Sequence, residues 1–510
     1  MKASDWHRRI APRIRQLFAL SKIVVHNRRG VLGIAILLFF IIIAVAAPLF
    51  TPYDPLLIPK EMTASPLALP SWVRYLPGYG NMSENLNPIE DSSFSTNTSL
   101  QQWKFTTNAS TQYVSLSFAS YEGSPDSGPG SAAISLLRSG VAPKENVRTV
   151  LAKEFAYPYS DPPSKWSGSI YVNIDAPQNA SITLSDLSIT VFIRQTGADT
   201  VTLWSPQEGV RRQGGIYPVG TWIRPSLTGP RVYPKIIDSD ILDKEKTVFS
   251  KPANYTFGVE VIFSDHLTNA TVYIDDFDLK LYGEAFGALG TDKFGRDISS
   301  QLIYGTRISL LVGFLGALLS TGIGLLVGLV SGYFGGIIDQ VMMRITDTFL
   351  VIPELPLLLV LVAVMGPSLW IIVLLISLLG WMGFARIVRS QVLSLKERPF
   401  VDASRILGGS ELYIIFSVLT PNVMNLVYVT LAMSAPAAIY SEAYLSFLGL
   451  YPFEVMTWGR MLHDALLSPG GVQKWWWILP PGLCIAAISI SFIFIGYALD
   501  EVFNPKLRER

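Results

Sequence analysis

The chain has 510 residues, half of them hydrophobic and only 15% charged, and a net charge of +1. About 25% of a soluble domain is charged, so the composition excludes an ordinary soluble protein, and the near-neutral balance gives no footing for a nucleic-acid partner. The single cysteine, Cys484, excludes an internal disulfide.

Residues 1–29 are basic, with Lys2, Arg8, Arg9, Arg13, Arg15, Lys22, Arg28 and Arg29 against one acid, Asp5. Residues 30–50 follow as an unbroken apolar run, close to the roughly 20 residues that span a bilayer. The run is longer than the roughly 7–15 residues of a signal-peptide core. The Pro-Leu-Phe-Thr-Pro that closes it makes a poor cleavage site, so it reads as a first transmembrane helix.

Residues 51–290 are polar and differently patterned. Val, Ile, Thr and Tyr alternate with polar residues in 167–174, 182–193, 256–263 and 271–282, which predicts strands with one wet face. Turn-rich stretches such as 123–130 separate the strands, and 81–100 reads as a linker or irregular cap. The expectation is an all-β sandwich inserted between the first two membrane helices. Asn-x-Ser/Thr acceptor motifs fall at Asn81, Asn97, Asn108, Asn179, Asn254 and Asn269, all within this insert. Their confinement suits an extracytoplasmic domain and, if they carry glycans, a source that glycosylates its surface, such as an archaeon. Residues 272–281 include Tyr273-Ile274-Asp275-Asp276-Phe277-Asp278-Leu279 and resemble the last strand of carbohydrate-binding-module sandwiches. The competing reading is an edge strand with a structural acidic pair, able to hold Ca²⁺ through its oxygens.

Five further apolar runs cover 308–332, 349–365, 369–388, 423–444 and 478–499. Pro353 and Pro356 predict a kinked start to the third of the six spans. Counting Lys and Arg places residues 1–29, the loop 389–422 and the C-terminal Lys506, Arg508 and Arg510 in the cytoplasm. The insert and Trp475, Trp476 and Trp477 fall outside, the tryptophans at the interface. Glu354 and Glu442, the acids near span ends, are either functional or interfacial.

Two motifs carry a resemblance. Before the second span runs Leu289-Gly290-Thr291-Asp292-Lys293-Phe294-Gly295-Arg296-Asp297, continued by Tyr304-Gly305-Thr306-Arg307-Ile308-Ser309-Leu310. The cytoplasmic loop holds Asp402-Ala403-Ser404-Arg405-Ile406-Leu407-Gly408 and, further on, Pro421. The first resembles the signature of one of the two permeases of dipeptide and oligopeptide importers. The second resembles the coupling loop of ABC importer permeases, with Asp402 where Glu is usual and Ser404 where the second Ala is usual. The resemblance also extends over Ser441–Leu450, Trp458-Gly459-Arg460 and the C-terminal Asn504-Pro505-Lys506, but not over the insert.

Physically, Asp297 and the serines after it suit a helix cap, Ala403 and Ser404 permit close approach to a partner, and Gly408 permits a turn. The resemblance implies the six-helix fold of type I ABC importer permeases in the cell membrane, with both termini cytoplasmic. It implies four partners besides the bilayer: a second homologous permease, two ATP-binding-cassette subunits and an extracytoplasmic substrate-binding protein. No Gly-x-x-x-x-Gly-Lys-Ser/Thr loop is present, so ATP and Mg²⁺ are expected on the ATPase subunits, and this chain is expected to be no enzyme and to hold no cofactor or metal. The expected cargo is peptides or oligosaccharides. The alternative is a membrane-anchored carbohydrate-binding receptor, against which six spans and a coupling loop argue.

Overall fold

The structure, a computed structural model, describes residues 27–56, 63–109, 112–120, 122–125, 128–138, 145–177, 181–205, 215–223 and 248–503. Asn179, the basic residues up to Lys22, and Lys506, Arg508 and Arg510 lie outside the described residues. The chain forms two compact units, Met1–Glu61 with Arg296–Arg510 and Met62–Gly295. The second of these, the β unit, starts eleven residues inside the predicted insert 51–290 and ends five residues beyond it.

The helical unit begins with α1, Arg28–Val45, capped by the Asn27 side chain, which accepts the Arg29 N–H. The second helix, α2, runs Ile298–Phe334, nearly three turns earlier than the predicted 308. Its extra turns carry polar residues such as Ser300 and Gln301 that a hydropathy reading discounts. It stops at Gly335 and Gly336, both at positive φ (65° and 55°), where glycine alone is unstrained. The next helices, α3 (Gly336–Val351) and α4 (Glu354–Met365), are bent by 89° at Ile352–Pro353. Pro353 has no N–H and pushes Ile352 out of the helical region, to ψ 126°. The predicted kink is therefore real, but Phe349–Val351 belong to the helix before it.

Helix α5 spans Leu369–Lys396, so Arg389 lies on a helix and not in the loop that was expected to start there. A short α6, Pro399–Ile406, precedes α7, Glu411–Phe447. Pro421 lies inside α7 instead of ending the loop. The wide turn Ile414–Leu419 just before it accommodates the missing N–H, with Thr420 donating to the Ile415 carbonyl five residues back. Last come α8, Trp458–Leu466, and α9, Trp475–Phe503. Trp475 is partly exposed, but Trp476 and Trp477 are buried because the first turns of α9 pack on α8 and α7. They therefore pack inside the helical unit. Among the described residues, five helices are long and apolar enough to cross a membrane, or six with α3–α4 counted as one broken span.

Small residues set how closely these helices pack. A Cβ on Gly328 would lie 2.6 Å from the Val388 Cβ, and one on Gly332 would lie 2.8 Å from the Val392 Cβ. With Gly324, these residues form a four-residue repeat along the α2 face against α5, the device by which membrane helices gain van der Waals contact.

Among the described residues the β unit has nine strands: β1 Lys104–Thr107, β2 Val114–Ala119, β3 Ser131–Leu137, β4 Val147–Tyr157, β5 Lys165–Asp175, β6 Leu187–Gln195, β7 Thr200–Trp204, β8 Ala253–Phe263 and β9 Asn269–Tyr282. They form two antiparallel sheets, β1-β4-β8-β6-β7 and β2-β3-β9-β5. One hydrophobic core draws Leu151, Val191 and Phe257 from the first sheet and Ile134, Val172 and Phe277 from the second, which is the packing of a sandwich. Residues 182–186, predicted as strand, precede β6 as a turn that the Asp186 carboxylate closes on the Thr183 N–H (2.9 Å).

β9 is an interior strand flanked by β3 and β5, which corrects the edge-strand reading of 272–281. Its pairing with β5 shifts register at Asp276, where φ is +46°. This bulge explains the Asp-Asp interruption. Buried positions run Ala270, Val272, Ile274 before it and Phe277, Leu279, Leu281 after it, so one inserted residue moves the buried set from even to odd numbers while keeping it on the core side.

Candidate functional site

In the predicted coupling segment, α6 begins with Pro399 at its first turn, where no N–H is needed. Val401 points inward and is fully buried with Tyr333, Val388, Ile414 and Leu419. Asp402 and Arg405, one turn apart, pair at 3.4 Å, and the Arg405 guanidinium lies 5.6 Å from the Tyr333 ring centre. The Ser404 hydroxyl donates to the Phe400 carbonyl (2.9 Å), and the Ala403 carbonyl accepts the Leu407 N–H (3.1 Å). Gly408, at φ 82°, turns the chain out of the helix, and Ser410 caps α7 by accepting the Tyr413 N–H. Pro421 stands farther along, within α7. The result is a helix–turn–helix fastened by Val401 and Ile414, whose turn presents Ile406 (86% exposed), Leu407 (87%) and Leu412 (66%).

Sequence reasoning quoted Val401 and Ile406 within the motif but gave neither a role, and it did not name Leu412. It also missed two ion pairs from α3 to α5, Asp339 with Arg389 and Asp347 with Arg386. The glycine repeat 324/328/332 and the spacing of Val401 before Ile406 were the available signals.

The motif before α2 is divided between the two units. In the β unit, the Thr291 hydroxyl donates to the Ser65 carbonyl (2.5 Å) and accepts the Ala68 N–H (2.8 Å). Asp292 accepts the Phe294 N–H on its side chain and the Gly295 N–H on its carbonyl. Gly290 and Gly295 have φ of 74° and 75°. In the helical unit, Asp297 caps α2 by accepting the Ser300 N–H (2.7 Å). Arg296 is buried and reaches toward Asp464 of α8 at 3.9 Å. Gly305 lies against the Trp458 ring, whose N–H donates to the Leu302 carbonyl. Arg307 donates to the carbonyls of Ala44 and Val45, closing the C-terminal end of α1. Thr291, Asp292, Arg296, Asp297, Gly305 and Arg307 therefore each touch backbone or a neighbouring helix.

Glu442 is buried on α7. It accepts the Ser446 hydroxyl (2.6 Å), and Ser446 in turn accepts that of Thr457, the cap of α8. Glu354 opens α4 beside the bend and is exposed.

In the β unit, the Asp275 carboxylate accepts the N–H of Ser124 and of Asp276, both at 2.7 Å, and Asp276 accepts the Ser92 hydroxyl. The pair thus fastens two loops to the β9 bulge. Among the described residues, no group of three or more His, Cys, Asp or Glu is placed to hold a metal. Asn81, Asn97, Asn254 and Asn269 are exposed. Asn108 is exposed too, but its side-chain amide bonds the Asn146 carbonyl and the Arg148 N–H.

Comparison with known proteins places these elements. Residues 324–509 match the family of binding-protein-dependent transport system inner membrane components. Residues 22–67 match the N-terminal transmembrane domain of oligopeptide transport permease C. The dipeptide transport system permease protein DppC of Bacillus subtilis is 41% identical over 224 residues, 43% of this chain and 68% of the relative. The oligopeptide permease OppC of the same organism is 38% identical over 221 residues, 43% of this chain and 72% of the relative. Among solved structures, an inward-facing form of the MetNI methionine ABC transporter aligns with 41% of this chain and 95% of its own at 16% identity, with a TM-score of 0.30.

Proposed function

Given that the chain belongs to the dipeptide and oligopeptide permeases of ATP-driven, binding-protein-dependent importers, we propose that it passes peptides across the cell membrane and takes its drive at the α6–α7 turn. As a permease subunit it works with ATPase subunits and a substrate-binding protein. In our reading there are two ATPases, each on one permease, and the second permease is a homologue that shares the pathway. ATP and Mg²⁺ belong to the ATPases.

The observation that carries this reading is the apolar tip formed by Ile406, Leu407 and Leu412 over the buried Val401. Apolar side chains so exposed are favourable only where a partner covers them. The anchoring of α6 to α5 and α7 lets a push on the tip reach the spans as a rigid displacement. Asp402 and Arg405 keep α6 wound, and Gly408 fixes where the tip turns.

The charge pattern supports cytoplasmic termini and an extracytoplasmic β unit. In that position the unit would meet the binding protein or the arriving substrate, and its exposed sequons would be open to glycosylation.

Leu407→Asp in the assembled transporter tests the docking. Peptide uptake and ATPase co-purification should both be lost while the chain still inserts; unchanged uptake with the ATPases retained would sink the assignment. Labelled oligopeptides set against labelled oligosaccharides test the cargo, and uptake of the sugars alone would overturn it. A membrane-impermeant thiol reagent should label Lys153→Cys on intact cells, and protection of that position would reverse the topology.

A further inference from the structure

Residues 71–79 expose an aromatic stretch of the β unit that neither motif explains. Ser71–Tyr75 is a 3₁₀ turn, in which residues three apart lie one above the other. Trp72 and Tyr75 therefore share a face, and the intervening Val73 is buried. Trp72 is 45% exposed, Tyr75 83%, Leu76 44% and Tyr79 45%. Arg74 does not break the patch with a free charge, because Glu84 holds it at 2.9 Å.

From this geometry we propose that Trp72, Tyr75, Leu76 and Tyr79 dock the β unit onto the headgroup layer of the bilayer that its flanking helices cross. Three observations select lipid as the occupant. The residue types are those that favour the membrane–water boundary, with an apolar body and a polar tip. The Trp72 indole N–H is already given to the Ala288 carbonyl at 3.0 Å, so the ring can leave water without stranding that donor. That same bond ties the patch to the chain just ahead of α2. Residues 289–297 separate Ala288 from the α2 cap and reach about 30 Å at full stretch. Residues 51–70 connect the patch to the end of the first membrane segment. Both tethers leave the patch within range of one bilayer surface, whatever the transporter carries.

The experiment uses the full chain alone in phospholipid vesicles, with Cys484→Ser removing the native thiol and an environment-sensitive fluorophore on Tyr75→Cys or Tyr79→Cys. Thr202→Cys, on an exposed strand position, is the comparison. Tyr75 is largely exposed, so its replacement leaves the core untouched. The expected result is blue-shifted emission at 75 and 79, with several-fold stronger quenching by lipids spin-labelled near the headgroup, and several-fold weaker quenching by aqueous iodide, than at 202. Equal iodide quenching at all three positions would overturn the proposal. Shielding of 75 and 79 that arises only when partner proteins are added would overturn it too, by assigning the patch to a protein.

Discussion

The Arg389 guanidinium donates two hydrogen bonds to the Asp339 carboxylate, at 2.5 and 2.6 Å, joining α5 to the first turn of α3. A planar fork meeting a carboxylate in this way fixes orientation as well as distance. On α5, Arg389 lies between Val388 and Val392, the residues against which Gly328 and Gly332 of α2 pack. The joint holds the bent α3–α4 segment to the helix that leads into α6.

Arg389→Ala should lower thermal stability by about 1–2 kcal/mol, the worth of hydrogen bonds to a charged group at a partly exposed site. Arg389→Lys should recover less than half of this loss, because an ammonium cannot make the paired bonds. Unfolding in detergent, followed by tryptophan fluorescence, measures both; full recovery by lysine would show that charge alone matters.

Gly328→Ala should cost about 1–3 kcal/mol, since the added methyl would sit inside the contact distance of Val388 and the two helices would have to part. Val388→Ala in the same chain should return part of that loss, because it vacates the space, and a double-mutant cycle would read the coupling. Gly322→Ala is the control: nothing lies within 4 Å of its would-be Cβ, and it should be neutral or slightly stabilising.

Gly408 has open space around its Cβ position and a φ of 82°, so any effect of substitution there is conformational. Gly408→Val should cost about 1–2 kcal/mol of local stability, and Gly408→Asn should cost clearly less. Under the docking proposal, transport should fall in the same order with ATPase binding less affected. Equal transport by the valine variant would show that the turn need not be rigid.

Much of this was legible in sequence, and what was missed has physical causes. Membrane spans announce themselves by composition, so all the predicted apolar runs lie on helices, but their ends do not. Ser300 and Gln301 are buried inside the protein although polar, and hydropathy therefore stopped α2 nearly three turns short. Parts of β5, β6, β8 and β9 alternate in sequence, and these strands were found. β3, Ser131–Leu137, is buried on both faces near its start, and β1 is only four residues long, so neither shows the period of two. The bulge at Asp276 was not foreseen, because nothing local distinguishes an acidic pair in a bulge from one on an edge. The segment proposed to couple to the ATPases was singled out by its motif. Its exposed apolar tip was named only in part, through Leu407, since the sequence does not say which face is inward until the buried Val401 fixes it. The receptor alternative loses its ground to the same observations, since an anchor has no use for an exposed apolar tip or for α3–α5 ion pairs.

The β unit should loosen as pH falls through the carboxylate range, and Asp91 should be one origin. Burial alone would raise its pKa, but this is outweighed by the Ser99, Ser93 and Ser95 hydroxyls and the Ser93 N–H, which all donate to the carboxylate, so its pKa is lowered. A carboxylate with a folded pKa below its unfolded value stabilises the fold above the ordinary Asp range, and that contribution is lost as pH falls through the folded value. The affected segment is 91–101, whose loop also meets the β9 bulge through Ser92. Amide exchange at Ser99 and Leu100 should therefore accelerate on acidification below about pH 4, where an unperturbed Asp protonates, after correction for intrinsic exchange rates. Asp91→Asn should show faster exchange already at neutral pH and should remove most of that acid-dependent step. A variant that keeps the full step would place its origin in other carboxylates of the unit.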